Sequence, residues 1–260
     1  MQYLLSQFKF LATIGDYISF VAYSFLSIFY SLPRWSLIRD QLYSIGVLSI
    51  GVVTLTGFST GLVLAAQSYY QLYDKGLAGV TGLMVAEAML TELGPVLTAF
   101  MFVGRVGASM TAELATMKVT EQVDAMISMS VDPYRYLVAP RLISGSLMFP
   151  FLTVYSVVMG VIGGYLLSVY FFNMSPTTFW DPIPTYVKPF DFWTGFIKSI
   201  IFGILITTIC CYRGITTSGG AADVGASTTK AVVISYVLIL IINFIITLSL
   251  NVLREKIGGL

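Results

Sequence analysis

Three ionisable side chains interrupt stretches of this chain that are otherwise apolar and long enough to cross a membrane. Glu87 and Glu92 lie in one stretch, and Lys198 lies near the start of another. A charge inside a membrane costs about 2.5–3.5 kcal/mol on insertion scales, so such residues are candidates for binding or for ion pairing. Structural alternatives are a Glu87 at the outer headgroups, a Lys198 that reaches toward the membrane surface, and a Glu92 that only joins helices.

The spacing of the two acids carries its own expectation. Glu87 and Glu92 are five residues apart, which is roughly 140° around an α-helix. We therefore expect that they do not both point into one cavity.

A second group of charges lies between Arg105 and Arg141. Only 10% of the chain is charged, yet eight of its 14 basic and 13 acidic residues fall in this interval, with apolar runs on both sides. The chain is 57% hydrophobic with a mean hydropathy of +0.85. A soluble domain is about a quarter charged, so the composition predicts a membrane protein.

Several classes of function are excluded by what the sequence lacks. It has no histidine, which removes His-based general bases, triads and metal ligands. Cys210 and Cys211 are adjacent in an apolar run and suggest neither a disulfide framework nor a metal site. The net charge of +1, without an aromatic basic patch, gives no support for nucleic-acid binding. No phosphate-binding GxxxxGK[ST] loop occurs, so the chain cannot supply ATP chemistry itself.

The elements that position these charges are predicted to be helices. A spanning helix needs about 20 mostly apolar residues, and five segments meet this requirement: 41–73, 77–104, 142–172, 192–212 and 231–253. Residues 1–40 are apolar and aromatic but carry regular serines, which favours an interfacial helix and elbow over a sixth span. The sequence predicts an all-α membrane protein with a single domain over residues 1–260.

Orientation follows from the basic residues of the connecting segments. With the N-terminus inside, the inner segments hold eight Lys and Arg residues and the outer ones four, or five if Lys198 is counted outside. Basic residues favour the cytoplasmic side. This places the charged interval between the second and third spans in the cytoplasm.

Residues 120–130 within that interval have a helical pattern, with apolar residues recurring on one face. We expect Thr120 to be the N-cap, with the carboxylates of Glu121 and Asp124 in the first turn. Asp132 precedes a proline, which ends the helix. The helix either lies on the membrane with solvated acids or docks a cytoplasmic partner. Acids facing away from a negative inner leaflet favour the partner.

The stretch TELGPVLTAFMFVGRVGASMTAELATMKVTEQVDAMISMSVDPYRYLVAPR, residues 91–141, resembles the signature of the MlaE-type permeases of ABC lipid transporters. Its ELGPVLTA, GRVGAS, VTEQ.DAM and DP..YLV.PR motifs occur in the order and at the spacing of that family. Gly104, Gly107 and Ala108 form a strip of small residues where helices can approach closely. The length and the five spans agree with the family along the whole chain.

The resemblance implies a homodimer with an embedded N-terminal helix, five spans and a cytoplasmic coupling helix in each subunit. Separate ABC ATPase subunits would bind ATP and Mg, this chain would bind no cofactor, and a ring of MCE-domain proteins would cover the outer face. A phospholipid or similar lipid would occupy a cavity at the dimer interface. The expected membrane is the bacterial inner membrane, with the plastid inner envelope as the alternative.

The resemblance also implies roles for individual residues. The ATPase-coupling candidates are Glu121, Gln122, Asp124, Ala125, Met126 and Asp132, and the lipid-cavity candidates are Glu92, Leu93 and Lys198.

The chain departs from the family inside the membrane. Thr91 precedes Glu92 where relatives have Arg, Glu87 replaces an apolar residue, and Asn243 lies near a position where relatives often carry an acid. Two rival functions are a self-sufficient secondary transporter or channel and a membrane-embedded lipid enzyme. The first would be favoured by inverted repeats, which the sequence does not show. The missing histidine and the absence of converging acids argue against the second.

Overall fold

Helices account for nearly all of the chain. The computed structural model describes residues 2–30 and 33–258, and it describes side chains over residues 12–28 and 33–256. Within these ranges there is no strand. The helices there are α1 (Gln2–Tyr30), α2 (Trp35–Tyr73), α3 (Ala78–Val119), α4 (Gln122–Ser128), α5 (Tyr134–Phe171), α6 (Pro176–Trp180), α7 (Pro182–Tyr186), α8 (Pro189–Ile215) and α9 (Ala221–Gly258).

Five of these helices are long and apolar enough to cross a membrane, namely α2, α3, α5, α8 and α9. This confirms the predicted all-α membrane class and the number of spans. The helices extend past the apolar segments: α3 continues to Val119 and α5 already begins at Tyr134. Much of the charged interval is therefore helical, because charged residues such as Glu and Lys extend a helix as readily as apolar ones.

The centre of the bundle is α8. In its most apolar stretch 67% of the residues are buried, compared with 22% in α2 and 17% in α9. Phe202 and Ile206 of α8 are fully buried and belong to the same apolar core as Phe149 of α5 and Phe102 of α3. Most of the outer surfaces of α2 and α9 are thus left for lipid or for another chain.

The closest helix contact is between α2 and α5. A Cβ atom on Gly57 would lie 2.6 Å from the carbonyl oxygen of Ser156, and a Cβ on Gly61 would overlap the backbone of Gly160. Small residues allow such backbone contact within membranes, where packing rather than the hydrophobic effect holds helices together.

Helix α1 contacts the end of α8 and the start of α5. The Phe20 ring lies 5.4 Å from that of Tyr212 and 5.6 Å from that of Tyr134. The Tyr17 hydroxyl is 2.8 Å from Thr208 Oγ1. The position of α1 in the headgroup region stays a prediction.

Candidate functional site

Two of the three charges within the apolar stretches, Glu92 and Lys198, form a polar cluster that joins α3, α8 and α9. Lys198 Nζ donates to Glu92 Oε1 at 2.7 Å, to the Thr91 carbonyl oxygen at 2.9 Å and to Thr247 Oγ1 at 2.8 Å. The other carboxylate oxygen of Glu92 accepts from Asn243 Nδ2 at 3.1 Å, and Thr247 Oγ1 lies 3.0 Å from Glu92 Oε1. Two of the predicted cavity residues, Glu92 and Lys198, are therefore ion-paired.

The two charges differ in their access to the surroundings. The Lys198 side chain is fully buried, whereas 37% of the Glu92 side chain is exposed. A lysine ammonium has three donors, and all three have partners here. Lys198 therefore has no donor left for a ligand, while Glu92 keeps a partly exposed side chain whose carboxylate Lys198 holds in place.

A π-helical turn over Met89–Leu93 interrupts α3 beside this cluster, and the Gly94 N–H donates to the Met89 carbonyl oxygen. Glu87 and Glu92 both line one cavity of about 180 Å³. The expectation that they could not share a cavity is wrong. A π turn bonds residues five apart and so needs more residues per turn than an α-helix, which brings positions 87 and 92 nearer to one face.

The lining of that cavity also contains a second ion pair. Arg254 Nη1 lies 3.4 Å from Asp191 Oδ1, and the buried Asp191 also accepts from the Lys188 N–H at 2.9 Å. Leu93 is not among the lining residues of this cavity; it is half-buried and packs against the apolar cluster that contains Met89.

The sequence argument missed Thr247, Asp191 and Arg254. One available signal is that Thr247 follows Asn243 by four positions in an otherwise apolar helix, which puts both on one face. Asp191 and Arg254 carry no comparable signal, because each lies at the charged end of a span.

A short helix, α4, lies where the coupling helix was predicted but begins differently, and its coupling role stays a prediction. Glu121 precedes it with a left-handed backbone, φ +60°. Thr120 does not cap α4, since its Oγ1 donates at 2.8 Å to the Thr116 carbonyl oxygen in the preceding helix. The expected N-cap is wrong because only a two-residue link separates α3 from α4. Thr120 still hydrogen-bonds to the last turn of α3, and the chain changes direction at Glu121.

Four of the coupling candidates form the outer surface of α4: Glu121, Gln122, Asp124 and Ala125 are exposed, while Met126 is half-buried. Val123 is buried under them. Asp124 pairs with Lys118 at 2.7 Å.

Ile127 departs from the expected pattern, because it was expected on the apolar face of the helix but is 57% exposed. Asp132 follows the end of α4, as expected, and accepts from the Tyr134 N–H at 2.9 Å immediately before α5.

The helix-packing candidates lie where α3 meets α8 and α9. Gly107 is buried, and a Cβ there would be 2.9 Å from Cys210 Sγ of α8; one on Gly104 would be 3.2 Å from the Tyr236 hydroxyl of α9. Ala108 follows them and is half-buried. Both glycines belong to a second π turn, Val103–Gly107.

Comparison with known proteins gives a consistent result. A family model described as "Permease MlaE" matches residues 38–249. A probable ABC transporter permease protein of Rickettsia typhi is 42% identical over 239 residues, 92% of each chain. The intermembrane phospholipid transport system permease protein MlaE of Haemophilus influenzae is 34% identical over 215 residues, 82% of each chain. The chloroplastic protein TRIGALACTOSYLDIACYLGLYCEROL 1 of Arabidopsis thaliana is 38% identical over 214 residues, 82% of this chain and 61% of that one.

Proposed function

The chain belongs to the MlaE permease family, and we propose that it is the membrane subunit of an ATP-driven transporter that moves phospholipid between membranes of the cell envelope. The observation that carries the proposal is the polar cluster between α3, α8 and α9, where Glu92 stays partly exposed next to a buried Lys198. Buried ionisable groups in spans mark substrate paths. The proposed location is the bacterial inner membrane.

Within this proposal Glu92 is the residue that meets the lipid. Its carboxylate sets the polarity of the cavity, and Lys198, Asn243 and Thr247 hold it in one position through the contacts above. The Lys198 ammonium compensates the charge of the Glu92 carboxylate between apolar helices, since an unpaired carboxylate there would be costly. Lys198 is therefore a positioning residue.

Helix α4 is the proposed contact for the ATPase. Its buried Val123 belongs to the same apolar core as Leu114 of α3 and Leu137 of α5. A displacement of α4 by a bound partner would therefore be transmitted to α3 and α5. Glu121 is exposed and has no ion-pair partner among the described side chains, whereas Asp124 is held by Lys118. ATP and Mg belong to that partner.

The proposed assembly is a homodimer with two ATPase subunits below it and an MCE-domain ring on the outer face. Large exposed apolar side chains on α9, such as Leu240, Phe244 and Leu248, supply a surface that a second copy or lipid can cover. Apolar side chains are stable both against lipid and against an apolar surface of another protein.

Purification of the tagged chain in mild detergent tests the proposal, with mass spectrometry of the accompanying proteins and lipids. We expect an ATPase, an MCE-domain protein and phospholipid. The reconstituted complex should move phospholipid with ATP, and Glu92→Ala should impair this while the dimer stays intact. Glu255→Ala, an exposed acid near the end of α9, is the matched control. Transport that continues without the ATPase and follows an ion gradient would instead favour a secondary transporter.

A further inference from the structure

A second polar cavity lies in the other half of α3, away from the Glu92 cluster. Arg105 and Glu92 are 13 residues apart, which is about 20 Å along a helix. The cavity measures about 180 Å³ and lies between the start of α2, the last third of α3 and the start of α5. Its polar lining consists of Gln41, Ser44, Arg105, Ser109, Glu113 and Arg141.

The charges around this cavity do not balance. Arg141 is 7% exposed; its Nη2 donates to Glu113 Oε2 at 3.0 Å and its Nη1 to the Leu137 carbonyl oxygen at 3.0 Å. Its Nε is buried and has no hydrogen-bond partner in the part of the chain that the structure describes. Arg105, half-buried, donates to the neutral hydroxyl of Ser49. The cavity lining thus carries two guanidinium groups and one carboxylate, and that carboxylate is bound by Arg141 and by the Ser109 hydroxyl at 3.3 Å rather than by Arg105.

The excess positive charge in this cavity destabilises the folded protein unless a bound anion compensates it. A buried charge needs a partner and its hydrogen bonds, and arginine cannot lose its proton to avoid this requirement. The Glu113 side chain is 55% exposed, so water weakens its attraction for Arg141. The fork of guanidinium donors matches the oxygens of a phosphate group.

The depth of the cavity fits a lipid headgroup. Helix α3 has 42 residues, and about 20 residues cross the hydrocarbon core. Counted from Thr81, the core would end near Met101, and Arg105 would follow one turn later at headgroup level. Trp35 and Tyr43 of α2 are exposed at 71% and 59%, as is typical of residues at a membrane–water interface.

We propose that this cavity binds the phosphate of an anionic phospholipid from the cytoplasmic leaflet. Arg105 and Arg141 donate to the phosphate oxygens. The acyl chains lie on the exposed apolar surface of α2 next to the cavity, which includes Leu48. This lipid is bound at the inner face and is distinct from the cargo near Glu92, so the inference does not depend on the proposed transport.

Native mass spectrometry of the purified full-length protein tests the assignment, with phosphatidylglycerol as the anionic probe and phosphatidylethanolamine as the zwitterionic one. We expect phosphatidylglycerol to bind more tightly, and Arg105→Gln to weaken it by about tenfold or more, the loss of one charge-assisted hydrogen bond. The control is Arg39→Gln, because Arg39 is exposed and pairs only with Asp40 outside the cavity. That variant should bind as the unmodified protein does.

A variant that is expected to bind the lipid more tightly distinguishes a change at this site from misfolding, because a misfolded protein would not gain affinity. Glu113→Gln removes the competing carboxylate and should tighten phosphatidylglycerol binding severalfold. Equal binding of the two lipids, or equal losses in Arg105→Gln and Arg39→Gln, would overturn the assignment, as would weaker binding in Glu113→Gln. Added inorganic phosphate distinguishes the source of the anion. If phosphate binds in an Arg105-dependent manner and phosphatidylglycerol does not, the lipid assignment is wrong.

Discussion

Removal of Glu92 should leave Lys198 as an unpaired charge between three helices. The ammonium would keep the Thr91 carbonyl at 2.9 Å and the Thr247 hydroxyl at 2.8 Å but lose the carboxylate at 2.7 Å. Breaking a buried ion pair from one side costs about 3–5 kcal/mol. Because two neutral acceptors remain, we expect Glu92→Ala to lower the free energy of unfolding by about 3 kcal/mol, the lower end of that range.

Substitution of Lys198 instead of Glu92 should lower the free energy of unfolding by a smaller amount. In Lys198→Met the remaining Glu92 is 37% exposed and keeps Asn243 and Thr247 as donors, so we expect a loss of about 1 kcal/mol, in the range of one hydrogen bond. The double variant contains neither charge. It should be destabilised by about 2 kcal/mol rather than the sum of the single losses, which gives a coupling energy of about 2 kcal/mol.

Unfolding in mixed micelles with a denaturing detergent, followed by tryptophan fluorescence, measures these differences for all four members of the cycle. Phospholipid transport in proteoliposomes is measured in parallel. The double variant should recover stability relative to Glu92→Ala but not transport, since the carboxylate is still absent. Additive losses would show that the pair is not energetically coupled, and recovered transport would show that Glu92 has only a structural role.

Four further predictions concern other parts of the molecule. Glu121→Lys should release the ATPase on pull-down, and Asp124→Asn should do so less; a full complement of ATPase in Glu121→Lys would reject the docking surface. Glu121→Gly removes a left-handed non-glycine residue and should raise the free energy of unfolding by about 1 kcal/mol, as measured in the same micelle assay, while still weakening ATPase binding. Gly61→Leu should prevent close packing of α2 on the α5 backbone and reduce the yield of folded protein on size exclusion, whereas Gly51→Leu, with nothing within 4 Å, should not. In a variant without native cysteines, a cysteine at position 173 in place of Asn173 should react with an impermeant label in intact cells. One in place of Asp124 should not, and the reverse result would invert the topology.

The number of spans could be predicted because it depends on the length of apolar runs, which is a local property. The Lys198–Glu92 contact joins residues 106 positions apart, and no local pattern specifies which helix faces which. The shared cavity of Glu87 and Glu92 was missed for a different reason. The angle expected between the two side chains assumes an uninterrupted α-helix, and the π turn at Met89–Leu93 changes that angle.

The start of α4 shows how a short connection can override intrinsic preference. Threonine is a good N-cap and glutamate is not, so propensity favours Thr120. The chain instead changes direction within the two residues between Val119 and Gln122, and Glu121 has a left-handed backbone at this change of direction. Propensity can predict that a helix is present, but the length of the link decides where it begins.

The glycine contact between α2 and α5 restricts how the subunit can change shape. The backbones of Gly57 and Gly61 lie so close to those of Ser156 and Gly160 that there is no room for a Cβ atom between them. A movement of either helix alone would break this packing, so we expect the two helices to move together. Helix α9 meets α3 instead through the Tyr236 hydroxyl, which donates to the Phe100 carbonyl oxygen at 3.3 Å, and through the Asn243–Thr247 contacts. Side-chain hydrogen bonds can exchange partners where close backbone contacts cannot, so we expect α9 to shift against α3 more readily than α2 shifts against α5.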